Sequence, residues 1–235
     1  MCGIVGVFDP AGQGISEQDL VVMRDRMVSR GPDDAGLLVH RDSGLFVGLG
    51  HRRLSIIDLS PLGRQPMSTA DGRLCIVFNG EIFNYRELRQ LLSKSGRHAF
   101  RSQTDTEVIL YGVREWGLDG CLKRLRGMYA FALFDKTDGS LTLVRDPLGV
   151  KPLYYSRQPV GLVFASEIKA ILAAPGAKPS LNNEALYHYF HEVRPRSYHG
   201  HDLHRCCSPS GPPDSRIAVI CFTMLFSAGL EGIEV

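Results

Sequence analysis

Cysteine stands second in the chain, in Met1-Cys2-Gly3-Ile4-Val5-Gly6-Val7-Phe8. Once Met1 is removed, Cys2 carries a thiol and a free α-amine on one carbon. An α-amine has a pKa of about 8, so a useful fraction is unprotonated at neutral pH. It can act as the base that activates the neighbouring thiol, without help from another side chain. The octet alone equally allows a cysteine packed as a small hydrophobe, and both readings stand open at this point.

Further stretches hold groups that could serve such a nucleophile. His51-Arg52-Arg53-Leu54-Ser55-Ile56-Ile57-Asp58 sets two arginines against an apolar segment. Adjacent arginines ordinarily mark a solvated face, but a guanidinium turned into a pocket floored by backbone binds a carboxylate with two parallel hydrogen bonds. Asn79-Gly80 follows an apolar run and precedes an amphipathic segment. It is expected on a strand-to-helix turn whose backbone N–H groups are left free for an oxyanion. Asp105, in Thr104-Asp105-Thr106-Glu107, reads as a first-turn acid facing a helix dipole unless something cationic lies nearby. Arg30-Gly31-Pro32-Asp33 reads as a helix stop with Gly31 as a left-handed cap. No role is assignable to His51.

The elements that must position these groups follow from periodicity. Residues 2–8 form a short, Ile- and Val-rich strand closed by Asp9, Pro10 and Gly12. Ser16 and Asp19 cap a helix carrying Leu20, Met23 and Met27 at helical spacing, ending near Arg30. Residues 36–39 and 45–49 pair as a hairpin through Asp42-Ser43-Gly44. A strand over 74–78, with Cys75 in the core, leads to a helix capped by Asn84 and stopped by Gly96. Thr104 and Glu107 open the next helix as a capping box. Residues 125–135 and 141–144 pair through Asp138-Gly139, Arg145-Asp146 reads as an ion pair, and residues 163–165 form a last strand. Ser166-Glu167 caps a helix through Leu172, and residues 183–190 form another. There is no internal repeat, and strands in pairs with helices in pairs predict stacked sheets with helices outside.

Bulk properties narrow the class. A chain of 235 residues, 44% hydrophobic and 22% charged, can bury a proper core. A net charge of +2 argues neither for nucleic acid nor for an anionic membrane surface, and neither is expected as a partner. No secretory signal is legible, and the longest apolar run, residues 217–226, is half of what a membrane helix needs. Scattered cysteines fit a reducing compartment, so a soluble cytoplasmic protein is expected.

Beyond about Phe190 the chain changes character: five of its eight His and three of its six Cys lie after residue 187, and no Lys follows Lys178. His199, His201, His204, Cys206 and Cys207 match no standard zinc spacing, so no metal site is assigned. Ser210-Gly211-Pro212-Pro213-Asp214-Ser215 echoes a pyrophosphate loop, but Pro213 lacks a donor such a loop would use. Residues 191–235 are therefore expected to be an atypical tail, from a reading-frame change or a wrong gene model, behind a domain of residues 1–190.

Taken together, Met1-Cys2-Gly3-Ile4-Val5-Gly6, Arg30-Gly31-Pro32-Asp33, His51-Arg52-Arg53-Leu54-Ser55-Ile56-Ile57-Asp58, Phe78-Asn79-Gly80-Glu81-Ile82, Thr104-Asp105-Thr106-Glu107 and Arg145-Asp146-Pro147-Leu148-Gly149 resemble, in order and spacing, the class II glutamine amidotransferase domain. The chain is most similar to the glutaminase half of glutamine-hydrolysing asparagine synthetases, because the fructose-6-phosphate amidotransferase branch reads differently at residues 53–58. The resemblance implies an α+β fold: a four-layer αββα N-terminal-nucleophile sandwich with two antiparallel sheets between helical layers. It implies that Cys2 attacks the side-chain amide of L-glutamine while its own α-amine shuttles the proton. The Asn79 side chain and Gly80 N–H are then the oxyanion hole. Arg53 takes the substrate carboxylate and Asp105 its ammonium; Glu81 and the backbone around Leu54, Ile56 and Ile57 complete the pocket, and Arg30 supports the loop near Cys2.

The resemblance implies no cofactor for this chain. ATP and Mg would belong to a separate synthetase domain that accepts the ammonia, for which the last 45 or so residues leave no room. Glutamine hydrolysis by an asparagine-synthetase-type domain is the expected function. The alternatives are an amidotransferase subunit feeding another acceptor enzyme and an inactive truncated fragment.

Overall fold

Alternation of side chains along the strands builds the architecture, because successive residues of a strand face opposite sides of its sheet. A computed structural model describes residues 1–12, 14–158 and 161–177, together with the backbone of Ile217–Cys221. In β1 (Gly3–Asp9), Ile4 and Phe8 face one way while Val5 and Val7 face the other. The same split runs through β3 (Leu45–Arg53), β5 (Leu74–Ile82) and β6 (Gly127–Asp135). With both faces of each central strand apolar, each sheet must be covered twice, and four layers result.

One sheet orders its strands β2 (Asp34–Asp42), β3, β1, β9 (Gly161–Ala165) and β8 (Tyr154–Gln158), all antiparallel. The other runs β10 (Ile217–Cys221), β7 (Ser140–Arg145), β6, β5 and β4 (Met67–Ser68), antiparallel except where β10 joins β7 in parallel. Between the sheets lie Ile4, Phe8, Val47, Leu49, Val77, Phe134, Leu143 and Phe164. The outer face of the first sheet packs on α1 (Glu17–Asp25) and α4 (Ile168–Ile171), through Leu20, Met23 and Ile171. The outer face of the second packs on α2 (Tyr85–Lys94) and α3 (Asp105–Leu122), through Leu88, Leu92 and Ile109. The expected αββα sandwich is the fold observed.

Local chemistry accounts for many boundaries. Ser16 and Asp19 form the reciprocal capping box on α1. Ser43 and Gly44, both at positive φ, make the hairpin between β2 and β3. Several expectations are corrected. Helix α1 ends at Asp25 and turns carry the chain to Arg30. Gly31 is not left-handed; it lacks a side chain because a Cβ there would collide with the Arg52 carbonyl. Asn84 does not cap α2 with its side chain but spends it on the Arg124 carbonyl and the Arg126 N–H, at 2.9 and 3.0 Å. Thr104 does accept the Glu107 N–H, yet Glu107 turns back to the N–H groups of Arg101 and Ser102.

Asn79-Gly80 sits on no turn: β5 continues through Ile82, and Gly80 is there because a Cβ would collide with the Met128 carbonyl of β6. Arg145 and Asp146 bond loop backbone rather than each other, Arg145 to the carbonyls of Gly149 and Lys151, Asp146 to the N–H groups of Tyr129, Leu148, Val150 and Lys151. The helix expected over 183–190, the His/Cys cluster and the loop at 210–215 lie outside the described residues.

Phe134 is wholly buried between the sheets. Phe134→Ala is expected to lower unfolding free energy by about 3–5 kcal/mol, read from the urea midpoint at unchanged m-value.

Candidate active site

The antiparallel register of β1 on β3, Gly3 opposite Arg52, brings the chain's start beside the end of β3. Cys2 Sγ accepts the Leu54 N–H at 3.5 Å and donates to the Leu54 carbonyl at 3.7 Å. Arg30 Nε donates to the Cys2 carbonyl at 2.8 Å, and its guanidinium reaches Glu167 at 3.5 Å. Ser166, read in the sequence as a cap, instead brackets Ile4: its Oγ accepts the Ile4 N–H at 3.0 Å and its own N–H reaches the Ile4 carbonyl at 2.8 Å. The strand that carries Cys2 is thus tied down on both sides.

Arg53 is buried. Its Nη1 donates to the Ser60 carbonyl at 3.0 Å and its Nη2 to the Asp58 carbonyl. A guanidinium has five N–H donors, so these two backbone contacts fix its plane and leave further donors uncommitted to them. Asp58 in turn accepts the Gln103 N–H at 2.8 Å, which fastens the 54–66 loop to the start of α3 and holds the Asp58 carboxyl below its ordinary range.

Asp105, the first residue of α3, is also buried and accepts the Ile82 N–H at 3.0 Å. Burial pushes its pKa up to about 6, against the pull of the Ile82 N–H, with the nearby Glu81 charge adding to the rise. Burial likewise raises the Cys2 thiol above its ordinary value, opposed by the Leu54 N–H, the chain-terminal ammonium and Arg53, and reinforced by Asp105. A raised thiol stays protonated at neutral pH and needs a base to become a nucleophile. Arg53 lies one residue before Leu54, whose backbone the thiol contacts, and Asp105 is near enough to add to the rise.

On the facing sheet, Asn79 shares the inter-sheet face of β5 with Cys75 and Val77 and is 1% exposed, yet its amide nitrogen has no hydrogen-bond partner. In an antiparallel ladder alternate residues turn their backbone groups to opposite edges. Phe78 and Ile82 turn theirs outward, where Gln65 and Asp105 take the two N–H groups. Gly80, midway between them, points its N–H to the same edge. Glu81 is exposed, and so are the side chains of Ile56 and Ile57, leaving only the Leu54 backbone of that segment on the thiol.

Sequence reasoning missed Ser166 and Gln65, and left His51 without a role. All three act through contacts far along the chain, which no local spacing signals. Among the described residues no group of three or more His, Cys, Asp or Glu could hold a metal ion, and no helix is long and apolar enough to cross a membrane.

The fold is that of the N-terminal-nucleophile amidotransferases. The glutamine phosphoribosylpyrophosphate amidotransferase of B. subtilis superposes with a TM-score of 0.59 at 22% identity, over 72% of this chain and 43% of that one. A second solved structure, the allosteric regulatory enzyme of purine biosynthesis, gives 0.61 at 22% identity, over 73% and 43%. At the level of sequence, residues 1–205 match the profile of the glutamine amidotransferase domain, and the chain belongs to that family. It is 43% identical over 192 residues to asparagine synthetase [glutamine-hydrolyzing] 1 of Bacillus subtilis, covering 80% of this chain and 29% of that protein. It is 38% identical over 208 residues to the putative asparagine synthetase [glutamine-hydrolyzing] 2 of Methanocaldococcus jannaschii, covering 81% and 39%. Amidase chry2 of Gibberella zeae is 35% identical over 183 residues, covering 74% and 26%. The chain therefore spans well under half the length of these relatives.

The raised carboxyl of Asp105 makes a prediction for stability. Its folded pKa of about 6 lies above the unfolded value of about 3.9, so the folded state holds its proton to higher pH. The group costs nothing below pH ~4, where both states are protonated, and its full penalty is present above about pH 6. Asp105→Asn is expected to match the parent at pH 4 and exceed it at pH 7 by roughly 2–3 kcal/mol, read from denaturant titrations across that range.

Proposed function

We propose that this chain hydrolyses L-glutamine to glutamate and ammonia, as the ammonia-supplying half of an asparagine synthetase. The observation that carries the reading is a thiol held on the Leu54 backbone, next in sequence to the buried guanidinium of Arg53, with the buried carboxyl of Asp105 near enough to raise it. Glutamine presents a carboxylate and an ammonium at one end and a carboxamide at the other, and this set of groups answers all three.

With Met1 removed, the Cys2 amine takes the thiol proton and Sγ adds to the carboxamide carbon. The unpartnered Asn79 amide and the edge-facing Gly80 N–H take the developing oxyanion. The amine returns its proton to the nitrogen, the C–N bond breaks, and ammonia leaves a thioester on Cys2. Water then adds to the thioester and releases glutamate and the thiol. Arg53 holds the α-carboxylate, Asp105 the α-ammonium, and Glu81 and the backbone of residues 54–57 line the remainder. Arg30 holds the Cys2 carbonyl so that the amine and thiol keep their aim.

The ammonia acceptor is proposed to be a synthetase domain or subunit outside these residues, working in the cytoplasm, because the named synthetases extend far beyond the matched segment. The likeness to an amidase supports a second reading, in which the ammonia serves a different acceptor enzyme. The domain is proposed to occupy residues 1–190, with 191–235 an atypical tail; an intact frame through codon 190 in the coding DNA removes that part of the proposal.

Cys2→Ala is expected to abolish ammonia release and covalent labelling by 6-diazo-5-oxo-norleucine, with an unchanged circular dichroism spectrum. Intact mass of the active protein should lack the initiator methionine; an active protein that keeps Met1 contradicts the base assignment. Arg53→Lys and Asp105→Asn should raise KM for glutamine roughly ten- to a hundredfold, as expected when a charge-assisted hydrogen bond worth about 1.5–3 kcal/mol is lost. In the parent, KM should also climb as pH falls through about 6, where Asp105 takes up its proton.

A further inference from the structure

We propose that His51 and Gln65 are positioning residues that hold Phe78 from both of its backbone groups and so set the aim of the Asn79 and Gly80 donors. The inference rests on the glutaminase reading and adds to it the two residues that orient its oxyanion donors.

Strand β5 has β6 along one edge, but along the other β4 is two residues long and pairs only with Cys75 and Ile76. Phe78 turns its N–H and carbonyl to that open edge with no strand to receive them. Gln65 Oε1 accepts the Phe78 N–H at 2.6 Å. His51 Nε2 lies 3.2 Å from the Phe78 carbonyl, and against a carbonyl it must be the protonated, donating nitrogen. Both side chains are buried, His51 completely. Gln65 also donates from Nε2 to Thr106 Oγ1 at 3.2 Å, in the turn that starts with Asp105.

A planar peptide transmits this grip. Fixing the Phe78 carbonyl fixes the plane that contains the Asn79 N–H, and with it the root of the Asn79 side chain and the approach to Gly80. Two side chains do here what a longer β4 could not. Another pair of strand residues would satisfy Phe78 but would run on over the Gly80 N–H and close the edge to substrate. Side chains satisfy one residue and stop.

A histidine in this place also donates without changing charge. Burial, with Arg53 and Arg52 on its own strand adding to it, lowers its pKa to about 4 against the opposing pull of the Phe78 carbonyl and of Asp34 on β2. It remains neutral through the working range, with Nδ1 unprotonated and unpartnered.

The test is steady-state kinetics on the full chain carrying His51→Phe, His51→Gln or Gln65→Met, beside the affinity of each for glutamate γ-semialdehyde. That aldehyde forms a tetrahedral adduct on Cys2 and calls on the oxyanion donors, as the transition state does. His51→Phe and Gln65→Met should lower kcat roughly ten- to a hundredfold, less than the ~10²–10³ that loss of a whole donor costs. KM should shift less than threefold, aldehyde affinity should fall in step with kcat, and labelling by 6-diazo-5-oxo-norleucine should persist. His51→Gln, which keeps an N–H donor, should recover most of the loss, and the pH profile of kcat/KM should stay in place.

Unchanged kcat in both His51→Phe and Gln65→Met overturns the proposal. So does a displaced pH profile, which would make His51 an acid or base, or a fall in kcat that His51→Gln does not relieve. If His51→Phe does not fold, His51→Asn takes its place: its shorter amide does not reach Phe78, and a parental kcat there is equally fatal. A parent chain with no glutaminase activity, or one insensitive to Cys2→Ala, sinks the glutaminase reading itself and is distinguishable from each of these results.

Discussion

The pairing of β1 with β3 is the constraint on which the site depends. It is an ordinary ladder, yet its register, with Gly3 opposite Arg52, brings Cys2 to the end of a strand that closes on a buried arginine. A slip of one residue would turn every side chain of β1 to the other face of its sheet. Ile4 and Phe8 would leave the inter-sheet core, so the hydrophobic pattern of the strand enforces the placement of the thiol. Arg30 and Ser166 then hold the strand's first peptides from either side. Packing fixes the address of the sulfur, and hydrogen bonds fix its orientation.

Burial sets the electrostatics. Withdrawing Cys2 and Asp105 from water raises both pKa values, which leaves a neutral thiol and a carboxyl that titrates near the physiological range. Neither is a stable resting charge, and the proposed partners differ: that of the carboxyl arrives with substrate, that of the thiol is the amine on the same residue. An ammonium beside Asp105 restores the carboxylate, and a base beside the thiol makes the sulfur reactive. Of the two, Asp105 is the one that costs folding stability at neutral pH, and its proposed partner arrives with substrate.

The parts of the fold set by local chemistry were legible in the sequence. The Ser16–Asp19 box, the Ser43-Gly44 turn and the alternation of the central strands all depend on neighbours a few residues apart. Misreadings came where a residue answered a distant partner. Asn79-Gly80 looked like a turn because glycine so often marks one, but the missing Cβ makes room for the Met128 carbonyl. Arg145-Asp146 looked like an ion pair because opposite charges sat side by side, but each stitches the loop backbone. Ser166 looked like a cap and bonds a residue 162 positions away. Position 65 carries no local signal, since the worth of that glutamine lies in a strand thirteen residues on and a helix forty-one residues on. The motifs themselves were visible because they recur as a set; their geometry was not.

The place of β1 within its sheet has a consequence for biosynthesis. It is an interior strand, with β3 on one side and β9 on the other, and Val5 lies opposite Ala165. Strand β1 therefore waits until β9 (Gly161–Ala165) has been made before its second edge is covered. At about 5–20 residues per second that interval is roughly ten to thirty seconds. Such long-range pairing is a slow, late event in folding. A nascent chain thus carries its cysteine while the sheet that seats it is still open, and the surroundings of the thiol are complete only once β9 has joined.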